Sequence, residues 1–173
     1  MIVTDDQYER LQPPHLVTTV RSFPRRYREA LTAWSSRPVS ARTLDDEANV
    51  LALLNDTLHT LALLDHALEQ CLVRDTPVVD ERVLHGAARP WPISIESDAA
   101  DASKRLLVDL TTTTSTLALR IDNAPSKSWS GEATVANTSP DRTIRAIDIA
   151  REAARTGAEN LRAIDRFVGQ PTE

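Results

Sequence analysis

Two charged residues occupy positions where the surrounding helical period calls for apolar ones. Asp65 falls about 40° from Leu61 on the inner stripe of a leucine-rich segment, and Arg151 flanks Ala154 and Ala158 on a later one. A charge turned toward a core persists only if it is paired or faces a cavity. As an ion pair between helices, the two would be structural. Lining a cavity, Asp65 would act as a general base or orient a polar ligand, and Arg151 would bind a carboxylate or enolate oxygen. Asp165, also turned inward, is an alternative partner for the arginine or a neighbour.

The tryptophans are the next candidates. Trp34, Trp91 and Trp129 each sit at a helix end or in a connection. They serve either as core plugs or, for Trp91 and Trp129 in the two longest connections, as walls for a flat apolar ligand. Thr113 lies in the run Thr111 to Thr116, where β-branched residues oppose helix formation, so either packing overrides propensity or hydroxyls are needed there. His59 and His66 are seven residues apart and fall opposite the apolar stripe, which suits a solvated face better than a shared metal. Asp148 and Glu152 read as surface partners of Arg151 and Arg155. No Ser/His/Asp order, HExxH or glycine-rich phosphate loop is present, and four scattered glycines cannot build a phosphate cradle.

These residues must be positioned by helices. Thr43 to Arg74 carries no Gly or Pro and places Val50, Leu54, Leu61, Leu64, Leu68 and Leu72 on one stripe, with Thr43 as cap and Asp45 and Asp46 in the first turn. Before it, His15 to Trp34 shows helical spacing interrupted by Pro24, which predicts a kinked helix or two abutting pieces. A third helix starts at Asp98 or Asp101 and carries Leu106, Leu110, Thr113, Leu117 and Ile121 on one side. A fourth is predicted from the TSPDR signal at Thr138 to Arg142 through Val168, with Ala150, Ala154, Gly157 and Ala158 allowing close approach to a neighbour. The connections Pro77 to Ser97 and Asp122 to Thr138 are long. The first is a candidate pocket wall, and the second contains an EATV stretch able to form an extended arm. Strand signals are otherwise nearly absent. The expectation is one all-α domain over residues 1–173, a four-helix bundle with two long crossover connections.

Charge and cysteine content exclude several classes. A net charge of −5 argues against a nucleic-acid grip, and Arg25, Arg26 and Arg28 are followed at once by Glu29. Cys71 is the only cysteine, so no internal disulfide forms and a cytoplasmic location is the simplest expectation. Its place on the edge of the apolar stripe suits a buried thiol better than a reactive one. The start, MIVTDDQYERL, does not read as a signal peptide, and no apolar stretch reaches the roughly 18 residues needed to span a membrane.

The order of these elements resembles the DinB/YfiT-like superfamily of bacterial helical bundles. The likeness rests on the proline-bearing VRSFPRRYREAL from Val20 to Leu31, the leucine-rich second helix leading into DTPVVD (Asp75 to Asp80), and Trp129 followed by GEATV. It implies a DinB-like four-helix fold, association of two copies through helix faces, and a divalent metal held by one histidine of the second helix and two of the last. The ligand set fails here. No histidine occurs from Asp141 to Glu173, and Asn55 stands where the first ligand would fall. The expectation is therefore a metal- and cofactor-free relative that binds or transforms a small organic metabolite where relatives hold their metal. Asp65 and Arg151 would be catalytic, and Asn55, Trp91, Trp129 and Thr113 would line the site. Isomerase, cyclase or lyase chemistry of bacterial specialised metabolism is its concrete form. The alternatives are a metal- or thiol-dependent S-transferase or hydrolase of the same superfamily, and a non-catalytic ligand-sequestering or dimerising module.

Overall fold

The computed structural model describes residues 6–38, 40, 42–74, 77–80, 99–136 and 142–169. Among these, helices dominate: α1 (Asp6–Glu9), α2 (Pro13–Ser35), α3 (Leu44–Val73), α4 (Ala99–Asn123) and α5 (Ala146–Gly169), with a 3-10 turn at Ser126–Ser130. Three short strands accompany them, β1 (Val78–Asp80), β2 (Glu132–Ala136) and β3 (Arg142–Arg145). The chain is mostly helical, as expected, with a small three-stranded sheet added.

Local chemistry explains where the long helices begin. Pro13 and Pro14 occupy the first turn of α2, where missing N–H groups cost nothing, and Gln12 with His15 completes a capping box. The helix runs through Pro24 as one element, so the two-piece alternative is not taken. Thr43 caps α3, its Oγ1 accepting from the Asp46 N–H at 3.1 Å, with Asp45, Asp46 and Glu47 at the positive end of the helix. The α3 stripe of Val50, Leu54, Leu61, Leu64 and Leu68 is fully buried, while Leu72 is only half-buried.

The last helix starts later than the TSPDR signal implies. Residues 142–145 are strand β3, paired antiparallel with β2 so that Ala133 faces Ile144 and Glu132 faces Arg145. β2 in turn pairs parallel with β1, Val79 against Val135. Alternation in β2 puts Ala133 and Val135 in the core and Glu132 and Thr134 outside, the period-2 pattern of a half-buried strand. Pairing to β2 competes successfully for a segment whose β-branched Thr143 and Ile144 suit a strand. The extended arm read from EATV is present as β2.

Side-chain contacts set the directions of the helices. Arg151 reaches the Leu11 carbonyl, Tyr27 reaches the Gly157 carbonyl, and Trp34 stacks edge-on against Phe167, so α2 and α5 run parallel. Asn160 of α5 bonds Asp56 and Thr57 of α3, and the Cys71 carbonyl lies beside Gly131 just ahead of β2, so α3 and α5 run antiparallel. Arg21 pairs with Asp122, bringing the start of α2 to the end of α4. The end of α4 and the start of α5 therefore share one end of the molecule. The described residues of the connection, 124–136 and 142–145, lie at that end in the 3-10 turn and strands β2 and β3, so it is not the crossover expected. Its length is taken up by strand pairing. Most of the first long connection, including His85 and Trp91, lies outside the described residues.

Among the described residues the interior is filled by apolar side chains. Phe23, Tyr27, Leu54, Leu61, Leu64, Leu68, Leu110 and Leu117 are all fully buried, each such large side chain contributing roughly 1.5–3 kcal/mol on burial. α2 approaches α5 closely: a Cβ placed on Gly157 would meet the Phe23 ring at 2.4 Å. Beside it the Tyr27 hydroxyl donates to the Gly157 carbonyl at 2.7 Å and meets Thr57 Oγ1 at 2.9 Å, while Asn160 Nδ2 donates to Thr57 Oγ1 at 3.0 Å. Burial raises the Tyr27 phenol's pKa above its ordinary range, the Thr57 hydrogen bond opposing only in part.

Gly157→Ala is expected to destabilise the fold by about 1–3 kcal/mol in urea denaturation, because overpacking against an immobile ring outweighs the helix-propensity gain. Alkaline unfolding tests the phenol. The unfolded chain ionises Tyr27 first, so stability declines as pH rises past the ordinary tyrosine range, and Tyr27→Phe is expected to flatten that decline.

Candidate functional site

The shared end of α2, α4 and α5 carries a cleft of about 710 Å³, within the roughly 300–1,000 Å³ usual for small-molecule sites. Pro13, Pro14 and Val17 form one wall, Ile121 and Asp122 a second, and Trp129 with Ile147, Arg145 and Arg151 the rest. Each wall has a local cause. The Pro13–Pro14 pair fixes the entry of α2. Trp129 is held half-buried on the core by the 3-10 turn, which closes through Gly131 N–H to Ser128 O at 3.0 Å. Gly131 O then accepts from Ala146 N at 2.9 Å, setting the start of α5 against the turn.

The electrostatics of the cleft centre on Asp148 in the first turn of α5. Arg145 grips it with two bonds, Nε to Oδ2 at 2.8 Å and Nη2 to Oδ1 at 3.1 Å, and Arg151 Nη1 donates to the same Oδ1 at 3.0 Å. Arg151 Nε donates to the Leu11 carbonyl at 3.1 Å, fastening the N-terminal segment to α5. Arg162 does the same further along through the Tyr8 hydroxyl at 2.6 Å. The Asp148 hydrogen bonds hold the Arg145 guanidinium above its usual pKa, so it is charged at every working pH. Asp122 at the opposite rim is paired with Arg21 at 3.1 Å, both about half exposed.

Of the residues singled out from sequence, Trp129 and Arg151 meet in this cleft. The others do not. Asp65 and Arg151 are not partners: Asp65 is held by Arg120 of α4, Nε to Oδ1 at 2.6 Å and Nη2 to Oδ2 at 3.2 Å, with Glu69 adding a contact at 3.2 Å. The Asp65 hydrogen bond raises the Arg120 pKa more than burial lowers it. The interhelical ion pair exists, but it joins α3 to α4, because Asp65 and Arg151 project from their helices toward different neighbours. Asp165 is exposed and is not the arginine's partner either. Asn55 is buried within α3. Thr113 is half-buried on α4, away from the cleft, and its neighbours Thr111, Thr112, Thr114, Ser115 and Thr116 return their hydroxyls to carbonyls of the same helix. That back-bonding satisfies the hydroxyl run within the helix. Trp91 lies outside the described residues.

His66 is exposed, 3.8 Å from Glu69, as a solvated-face residue should be. Among the described residues no three His, Cys, Asp or Glu side chains stand close enough to hold a metal ion, and no helix is long and apolar enough to cross a membrane. Cys71 is buried, and desolvation pushes its thiol up to about 11. A second cavity of about 280 Å³ between α3 and β1, at His66, Gln70 and Arg74, contains none of the site residues expected from sequence.

That Arg145, Pro13 and Pro14 line the cleft was not legible in the sequence. Arg145 belongs to a strand hidden under a helix-start signal, and the prolines read only as a helix entrance. No family model, curated protein or solved structure matches the chain.

Two measurements check this placement. Asp65→Ala is expected to cost about 1–3 kcal/mol of stability, between the values for surface and buried pairs, while leaving any binding at the cleft unchanged. Cys71 in the folded protein is expected to alkylate about a hundredfold more slowly at pH 8 than the same thiol in denaturant, since the thiolate is the reacting form.

Proposed function

We propose that the four long helices form a four-helix bundle of the DinB-like type, and that the protein binds a small organic molecule in the cleft at the shared end of α2, α4 and α5. One observation carries the binding reading: an indole face (Trp129) and a guanidinium (Arg151), far apart in sequence, line one cleft of ligand size. An apolar wall with a few convergent polar groups is the usual make-up of a small-molecule site. The expected location between the helices is replaced by their end, because fully buried side chains and the Gly157–Phe23 contact fill the interior.

No metal enters this reading, since α5 offers no histidine to ligate one. In its acid/base form, an isomerase, cyclase or lyase, the base is Asp122, the carboxylate lining the cleft, and Asp65 is released to its structural pair with Arg120.

A screen of small aromatic and aliphatic compounds by thermal shift and tryptophan fluorescence tests the proposal. Bound compounds are expected to perturb Trp129 emission, and Trp129→Ala to weaken them at least tenfold. Binding that survives both Trp129→Ala and Arg151→Ala would place the site elsewhere.

A further inference from the structure

We propose that the cleft selects a flat organic acid bearing a single negative charge, its carboxylate held between Arg145 and Arg151 and its apolar body laid on Trp129. This rests on the cleft being the binding site and adds the ligand's charge state and a second binding residue, Arg145.

Unused donors come first. A guanidinium has five N–H groups and no acceptor. Arg145 spends Nε and Nη2 on Asp148, and Arg151 spends Nε on Leu11 and Nη1 on Asp148. Arg145 Nη1 and Arg151 Nη2 have no hydrogen-bond partner among the described residues, and both side chains line the cleft. Asp148 orients both forks in advance, so little ordering remains to be done when a ligand arrives. Arg151 is the more sheltered, its side chain 17% exposed against 54% for Arg145. A carboxylate bridging a sheltered and an open guanidinium suits a ligand that enters from solvent with its body leading toward Trp129 and Ile147.

Charge limits what the donors accept. The charged side chains lining the cleft are Arg145, Arg151 and Asp122, and each is answered by a neighbour: Arg21 pairs with Asp122, Asp148 bonds both other arginines, and Glu132 faces Arg145 across the strands. With no surplus positive charge, one carboxylate is accommodated by directed, charge-assisted hydrogen bonds. A second negative charge would meet Asp122 and Asp148 uncompensated, on a chain already at −5. Phosphorylated and dicarboxylic ligands are therefore disfavoured. Trp129, Val17, Ile121 and Ile147 supply the apolar surface for a ring.

Three probes on one frame test this by calorimetry on the full chain: 2-naphthoate, its neutral amide 2-naphthamide, and naphthalene-2,6-dicarboxylate. The monoacid is expected to bind at least tenfold more tightly than either of the others. Arg145→Gln, at a position whose side chain is about half exposed, is expected to bring the monoacid down to the affinity of the amide. Arg151→Gln is expected to do the same where it folds, and Arg25→Gln, on an exposed pair with Glu29, to change nothing. Equal binding of acid and amide would overturn the acid class and leave the cleft as a neutral-ligand site. A dicarboxylate as tight as the monoacid would overturn the single-charge limit. Failure of all three to bind at about 1 mM would remove the cleft reading itself, and the acid class with it.

Discussion

The contact between α2 and α5 at Gly157 is the constraint on which the rest of the structure depends. Phe23 packs onto Gly157, the mid-helix position of α5 that lacks a Cβ, and the neighbouring Tyr27 hydroxyl fixes the axial register by bonding the Gly157 carbonyl. Ala150, Ala153, Ala154 and Ala158 extend the small-residue surface on either side. Because the two helices run parallel, their N-terminal ends lie together. The cleft is the space that this pairing leaves at that end.

What fills the edges of the space follows from the same register. The chain must return from the end of α4 to the start of α5 without crossing the molecule, and it uses the intervening residues for the 3-10 turn and two strands. Trp129 is thereby held on the core and Arg145 is delivered to the mouth of α5. Arg151 and Arg162 fasten the N-terminal segment along α5, so Pro13 and Pro14 become a wall of the cleft as well as the first turn of α2.

The charged residues divide between saturated pairs and a cluster with donors left over, according to what surrounds them. Asp65 and Arg120 bond each other between α3 and α4, with both side chains largely covered and the third guanidinium nitrogen against Glu69. Asp148, by contrast, is one carboxylate shared by two arginines, and guanidinium N–H groups remain over. A saturated pair holds helices together, whereas an unsaturated cluster at an open cleft is available for chemistry.

The sequence by itself determined the helices. The period of Val50, Leu54, Leu61, Leu64 and Leu68, the Thr43 cap, the small residues of α5 and the burial of Cys71 are all local properties, set by side-chain size and by which residue can satisfy a helix end. Trp129 and Arg151, which line one cleft, were singled out from sequence, one as a rare aromatic in a long connection and one as a charge on an apolar face. Only the tertiary structure decided that Asp65 belongs to Arg120, that residues 142–145 are a strand, and that Arg145 joins Arg151 over Asp148. A helical wheel fixes the angle at which a side chain leaves its own axis. It carries no information on which neighbouring helix stands at that angle, and strand pairing between residues far apart in the chain leaves no local period to read.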